Sequence, residues 1–155
     1  MLNIEARLKA LGLPLPPPSP PAANYEPVVI ARGLLFVSGQ APLRDGKLQT
    51  TGRVGAEVSL DGGRQAARMC ALNVLSQVNA ALRGDWSRLK RCVRVTGYVS
   101  SAPNFFDQPK VLDAASDLVV EVLGEAGRHA RSSIGVAALR ANSPVVVEAI
   151  FELTD

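Results

Sequence analysis

The C-terminal stretch of residues 129–155 constrains the fold more than any other part of the chain. It reads as two strands, residues 130–136 and 145–153, joined by a loop that contains Pro144. Side chains two residues apart share one face of a strand, so the second strand has one unbroken apolar face. Its other face carries a carboxylate, Glu148, inside an otherwise apolar run. The sequence therefore predicts a sheet with a polar group on a largely apolar surface.

We expect these two strands to pair as a hairpin, with Val136 opposite Val145. In that register Ser133 lies opposite Glu148, and Arg131 lies one diagonal step away on the same face. A guanidinium can hold a carboxylate by two parallel hydrogen bonds, and a partly buried Glu can carry a proton to or from water. Spacing alone favours a simpler interpretation, an Arg131–Glu148 ion pair, because ion pairs outnumber active sites on sheet faces.

Composition indicates one domain and excludes several kinds of site. The chain has 155 residues, of which 47% are hydrophobic, enough for a core of its own. The sequence contains neither CxxC nor HExxH, and His129 is its only histidine, so we expect neither a metal site nor a Ser/His/Asp triad. Cys70 and Cys92 fall in helical and strand patterns that are typical of buried thiols rather than of a disulfide.

The charge is mildly basic and predicts no nucleic-acid partner. The net charge is +3 and the pI about 9.2, with one Trp, two Tyr and four Phe. The basic residues Arg83, Arg88, Lys90, Arg91 and Arg94 do not alternate with aromatic residues, and we interpret them as a solvated rim. An apolar leader and a membrane-spanning run are both missing from the sequence, which predicts a cytoplasmic location and no membrane partner.

Periodicity predicts strands and helices in the order strands, helix, strand, helix, strand pair. Residues 1–21 hold a short helix (2–11) and a proline-rich strap (13–21), and residues 22–155 form a single domain. The predicted strands are residues 28–30, 34–38 and 89–100, with a short edge strand within 53–57. Two longer helices are predicted. The first is capped by Asp61 and runs to Arg83, and the second is capped by Asp107 or Asn104 and ends before Gly124. Two helices on one face of a mixed sheet leave the other face in need of cover, so we expect self-association.

Several residues together resemble the YjgF/RidA family of reactive-intermediate deaminases, also called endoribonuclease L-PSP. They are Tyr25, the strand end Phe-Val-Ser38-Gly39-Gln40, the segment Ala130-Arg131-Ser132 and the closing strand Val-Val-Glu148-Ala-Ile. The resemblance runs from about Ala22 to Leu153. The added N-terminal helix and strap indicate a subfamily with its own ligand.

The resemblance implies a chorismate-mutase-like α+β fold and a homotrimer with ligand clefts between subunits. It also implies hydrolysis of enamine or imine intermediates, such as 2-aminoacrylate, to 2-keto acids and ammonia, with no cofactor. Arg131 would bind the substrate carboxylate, and Glu148 would lie near the reacting water. Tyr25, Ser38 and Gly39 would line the same cleft.

Four positions depart from the family pattern and bear on the substrate. Ser133 stands where a cysteine is common, Lys110 where an asparagine is frequent, Gly135 where an acidic residue is frequent, and His129 where proline is usual. Lys110 and Ser133 remain candidate binding residues, and Lys110 favours a ligand with a second negative group. His129 is expected on the surface or the rim of the cleft.

Two other functions remain open at this point. A trimer that binds a 2-keto acid or an amino acid without turnover is the first alternative. A ribonuclease is the second, and the sequence offers it neither a histidine pair nor a metal site.

Overall fold

A five-stranded mixed sheet with two long helices on one face is the frame of the chain. The computed structural model describes residues 3–154. Its helices are α1 (Ile4–Ala10), α2 (Leu60–Ala81) and α3 (Gln108–Leu123). Its strands are β1 (Val28–Ala31), β2 (Leu34–Gln40), β3 (Leu43–Arg44), β4 (Lys47–Leu48), β5 (Leu89–Ser100), β6 (Ala130–Val136) and β7 (Val145–Leu153). The predicted α+β class with two helices on one sheet face is confirmed.

The order of strands in the sheet is β1-β2-β7-β5-β6, and this order corrects the predicted hairpin. β6 pairs with β5 in parallel, and β7 pairs with β5 and β2 antiparallel, so β5 separates β6 from β7. The reason lies in the connections. The chain leaves β5 through α3, and such a helical crossover returns the chain parallel to the strand it left. The loop at 137–144 then carries the chain across β5 instead of turning back on β6.

The core lies between the helices and one face of the sheet. Its fully buried side chains include Leu35, Val95, Val99, Val145, Val147 and Phe151 from the strands and Leu75, Val78, Leu112, Leu118 and Val122 from the helices. At Gly97 the α3 side chain Leu112 lies directly against the sheet backbone. A Cβ atom built on Gly97 would lie 2.0 Å from Cδ1 of Leu112, so only glycine leaves room for that helix.

The ends of two elements differ from the prediction. Ser59 and not Asp61 caps α2, because the Ser59 Oγ accepts a hydrogen bond from the Gly62 amide at 3.0 Å. Residues 53–57 do not form the predicted edge strand. Val54 makes isolated bridges to Val58 and Ser101 instead. The N-terminal helix is shorter than predicted, and Leu2 of that prediction lies outside the described residues.

The face of the sheet away from the helices, here called the open face, keeps large apolar side chains exposed. Val29 is 50% exposed, Phe36 38% and Ile134 40%. Nothing else in residues 3–154 covers these side chains, which is why self-association remains our expectation. In the same range, every helix is too short or too polar to cross a bilayer.

Candidate functional site

β6 and the first turns of α3 position Arg131. Its backbone pairs with Val95, whose side chain lies in the core, so Arg131 points to the helix side of the sheet. Nη1 donates to Asp113 Oδ1 at 2.9 Å and to Ser116 Oγ at 3.1 Å, and Nη2 donates to the Pro109 carbonyl at 3.4 Å. The side chain is 24% exposed. Three partners therefore hold the guanidinium while part of it still faces solvent.

Glu148 lies on the open face, in the row of side chains that crosses β5 at Thr96. Thr96 pairs with Glu148 on β7 and with Ser132 on β6. The Tyr98 hydroxyl donates a hydrogen bond to Glu148 Oε1 at 3.0 Å. Burial raises the pKa of Tyr98, and the neighbouring Glu148 carboxylate raises it further. The carboxylate is thus half-buried and held from one side by a phenol.

Within one chain, Arg131 and Glu148 lie on opposite faces of the sheet. Arg131 shares a row with Val95, and Glu148 shares one with Thr96, the next residue along β5. Successive side chains on a strand point to opposite faces. The prediction that these two residues share a face is therefore wrong, and so is the alternative of an Arg131–Glu148 ion pair. Arg131 forms its ion pair with Asp113.

Three of the other predicted site residues, Tyr25, Ser38 and Gly39, line two cavities, one of which Glu148 also lines. Ser38, at the end of β2, and Glu148 both line a hollow of about 300 Å³ on the open face. Its neighbour Gly39 lines a second cavity of about 780 Å³, together with Tyr25 from the loop before β1. We call Tyr25, Ser38, Gly39 and Glu148 the cavity-side group.

The remaining predicted residues lie with Arg131. Ser133 pairs with Gly97 and so belongs to the helix side of β6. Lys110 sits in the first turn of α3, next to the carbonyl that Arg131 contacts, and its Nζ is 3.1 Å from Asp107 Oδ1. We call Lys110, Arg131 and Ser133 the helix-side group. In a single chain the predicted site is thus split into two groups on different faces of the sheet.

His129 lies behind Arg131, half-buried. Its Nδ1 is 2.5 Å from the Gly127 carbonyl, which can only accept, so Nδ1 carries a proton. In the neutral ring Nε2 then accepts from the Ser116 hydroxyl at 3.0 Å, and the Ser116 oxygen accepts from Arg131. Burial lowers the pKa of His129, and the positive charge of Arg131 lowers it further. The neutral histidine therefore supports the arginine through Ser116.

The prediction missed Arg94, Tyr98, Asp113 and Ser116, which lie beside the candidate groups. Arg94, assigned to a solvated rim, is exposed on the open face, where its Nη2 donates to Ser132 Oγ at 2.7 Å and it lines the same hollow as Glu148. Asp113 and Ser116 are three residues apart, so they share a helix face, and that spacing was a readable signal.

No group of three or more His, Cys, Asp and Glu side chains within residues 3–154 is arranged to hold a metal ion. The oxygen atoms near the two groups that could coordinate a metal ion belong to hydroxyls, one phenol and carboxylates that are not clustered.

Comparison with known proteins agrees with the architecture. Residues 5–153 match the sequence model of a family described as "YjgF/chorismate_mutase-like, putative endoribonuclease". The match starts inside α1, whereas the resemblance found in the sequence starts only at about Ala22. The chain is 44% identical to Protein TCP17 of Trypanosoma cruzi over 154 residues, which cover 99% of this chain and 96% of that protein.

Solved structures show the same fold. The protein Atu1372 of Agrobacterium tumefaciens, described as of unknown function, is 46% identical, with a TM-score of 0.91 over 97% of this chain and 92% of that one. Escherichia coli TdcF, solved with bound serine, is 20% identical, with a TM-score of 0.64 over 90% of this chain and 94% of that one. The family match spans nearly the whole chain, and the chain therefore belongs to the YjgF/RidA family.

Proposed function

We propose that this protein hydrolyses reactive imine and enamine intermediates of the 2-aminoacrylate type to 2-keto acids and ammonia. The reaction takes place in clefts between the subunits of a homotrimer and needs no cofactor. It is placed in the cytoplasm, the location that the sequence predicts.

One observation carries the proposal: the way in which Arg131 is held. Asp113 and Ser116 occupy both hydrogens of Nη1, and the Pro109 carbonyl takes one hydrogen of Nη2. Residues 3–154 provide no acceptor for the Nε hydrogen, and Nη2 carries a second hydrogen beyond the one that the Pro109 carbonyl takes. The Nε and Nη2 edge of a guanidinium is one that a carboxylate can contact through two hydrogen bonds. A small carboxylate ligand is its natural partner.

The split of the site supports assembly from two subunits. The helix-side group offers the carboxylate anchor, and the cavity-side group offers the carboxylate of Glu148, but the sheet lies between them. Arg131 and Glu148, the two residues to which the proposal gives roles, therefore cannot meet on one substrate within a single chain. Packing of the open face against a second copy would cover Val29, Phe36 and Ile134, and the proposal requires that the helix-side group of one copy lies beside the cavity-side group of the other.

The protein then has only to position the substrate, a water molecule and a proton carrier, because an imine carbon is already electrophilic. Arg131 binds the carboxylate and fixes the C=N bond beside a water molecule. Glu148 accepts a proton as the water oxygen bonds to the carbon, and it passes that proton to the nitrogen to give a carbinolamine. It then takes the remaining proton of the new hydroxyl group and passes it to the same nitrogen, so that the C=O bond forms as the C–N bond breaks and ammonia leaves. The hydrogen bond from Tyr98 orients the Glu148 carboxylate. The serine bound to TdcF, an amino acid with a free carboxylate, supports a ligand of this class.

A coupled assay tests the proposal. A separate enzyme generates 2-aminoacrylate or a longer imino acid, and release of the keto acid is followed with wild type, Arg131→Ala and Arg53→Ala. Arg53 is an exposed arginine paired with Glu57, and it is the matched control. We expect wild type and Arg53→Ala to accelerate release, and Arg131→Ala to lose roughly a hundredfold or more in kcat/KM, the value of two charge-assisted hydrogen bonds.

Wild type that is no faster than buffer with any imino acid would overturn the enzyme proposal. If calorimetry then showed tight binding of 2-keto acids that depends on Arg131, the protein would be a non-catalytic binding trimer instead.

A further inference from the structure

The cavity of about 780 Å³ has walls that the catalytic proposal does not use. One wall is the end of the strap together with Ala22 and Ala23, and another is the β3–β4 hairpin with the loop before it. Tyr25 and Gly39 of the cavity-side group lie between these walls. The cavity is therefore continuous with the positions proposed to bind the substrate.

Three buried polar residues of α2 hold both walls in place. Asn73 Nδ2 donates to the carbonyls of Ala41 and Leu43, at 2.9 and 3.0 Å, which fixes the start of the hairpin. The Ser76 hydroxyl donates to the Pro16 carbonyl, and Gln77 Nε2 donates to the Ser19 carbonyl at 2.8 Å.

These residues, Asn73, Ser76 and Gln77, stand at helical spacings of three and four and are 6%, 3% and 3% exposed. A buried donor that loses its acceptor is costly, so these contacts keep the strap and the hairpin in position. The residue directly after the strap reaches the site itself, because the Ala22 amide donates to the Tyr25 hydroxyl at 3.2 Å. The walls are thus parts of a built cavity rather than loosely attached chain.

The lining of the cavity indicates what it accepts. Most of the side chains along the two walls are apolar, and Pro20, Pro21, Leu43 and Leu48 are among them. The three carbons of 2-aminoacrylate would leave most of a space of this size unfilled.

We propose that the strap and the β3–β4 hairpin form a side-chain pocket that selects imino acids, and their 2-keto products, with a long or branched apolar side chain. This inference rests on the proposed function for the site and adds its substrate class. Each methylene buried in the pocket is worth roughly a fourfold gain in affinity or in kcat/KM.

Two variants test the pocket. Ala22→Leu adds bulk to a wall, and Gln77→Leu removes the donor that holds Ser19 while keeping the side-chain size similar. Ala10→Leu at the end of α1 and Gln65→Leu on the exposed side of α2 are matched controls away from the cavity. Each protein is assayed with imino acids derived from alanine, norvaline, leucine and phenylalanine, and its affinity for the four 2-keto acids is measured by calorimetry.

We expect wild type and both controls to improve with side-chain length by tenfold or more from alanine to leucine. Ala22→Leu and Gln77→Leu should flatten that trend while they keep the alanine-derived rate. Wild type that prefers the shortest substrate and product would overturn the pocket, and so would wall variants that keep the trend of the controls. Because the calorimetric series needs no turnover, absence of catalysis would count against the proposed function alone.

Discussion

The contact between Gly97 and Leu112 gives a prediction whose size can be worked out from the structure. A methyl group at position 97 would lie 2.0 Å from Cδ1, 2.4 Å from Cγ and 2.8 Å from Cδ2 of Leu112. Leu112 is fully buried, so it cannot swing into solvent. Overpacking of this kind costs about 1–3 kcal/mol, and we expect Gly97→Ala to lower the free energy of unfolding by that amount.

The double variant Gly97→Ala/Leu112→Ala should lose less free energy of unfolding than the two single variants lose in sum. Leu112→Ala alone removes buried carbons and leaves a cavity, which costs about 2–5 kcal/mol. In the double variant the new methyl group takes up space that Leu112 vacates, so the two losses should fall short of additivity by about 1 kcal/mol or more. Urea unfolding of wild type, both single variants and the double variant, at one fixed protein concentration, measures this coupling.

The same contact positions the site, because α3 carries Asp113 and Ser116 to Arg131. We therefore expect Gly97→Ala to raise KM for the imino acid and the double variant to recover part of the loss. Losses that add to within about 0.5 kcal/mol would refute the close approach of α3 to β5.

Further predictions follow from single side chains. The pKa of His129 is lowered in the folded chain. As the pH falls below about 6.5, the unfolded chain therefore takes up a proton on His129 before the folded chain does. The free energy of unfolding falls with it, until the pH drops below the pKa of His129 in the folded chain. His129→Asn should remove this part of the pH dependence of urea unfolding, and an unchanged pH profile would count against a buried neutral ring. Cys70 and Cys92 are fully buried, and burial raises the pKa of both thiols, that of Cys92 to about 12, so neither should react with iodoacetamide until the chain unfolds. Labelling at the rate of a free thiol would contradict their burial. Arg131→Lys keeps the charge but loses the fork, and we expect KM to rise roughly tenfold or more with little change in kcat, whereas an unchanged KM would speak against a bidentate carboxylate contact.

Local patterns predicted the elements well. β5, β6 and β7 have the predicted bounds, because alternating side chains and flanking turn residues are properties of the stretch itself. The two helices also form where apolar periodicity placed them. Their buried stripes face the sheet, as an amphipathic helix requires.

The neighbours of each strand could not be predicted in the same way. A short loop between β6 and β7 favours a hairpin, and only the competition of β5 for both strands decides otherwise. This one difference moved Arg131 and Glu148 to opposite faces. The resemblance supplied the candidate residues, but the pairing of strands decides which of them meet within a chain.

Long-range polar contacts could not be predicted from the sequence either. Tyr98 and Glu148 are fifty positions apart, and the register of β5 on β7 alone brings them together. Asn73, Ser76 and Gln77 are polar residues within α2, and each has its acceptor in a distant segment. Buried polar residues on a helix were the available signal, and the sequence did not say what they contact.

The central claim, that Arg131 of one subunit and Glu148 of another form one site, has a direct test. Arg131→Ala and Glu148→Gln are purified separately, each with its own tag, then unfolded together and refolded as a one-to-one mixture. In random trimers about one quarter of the clefts regain both residues, so a mixture of two inactive proteins should recover about that share of wild-type keto-acid release. Native mass spectrometry verifies that mixed trimers have formed. Mixed trimers with no more activity than the separate variants would contradict a site shared between subunits.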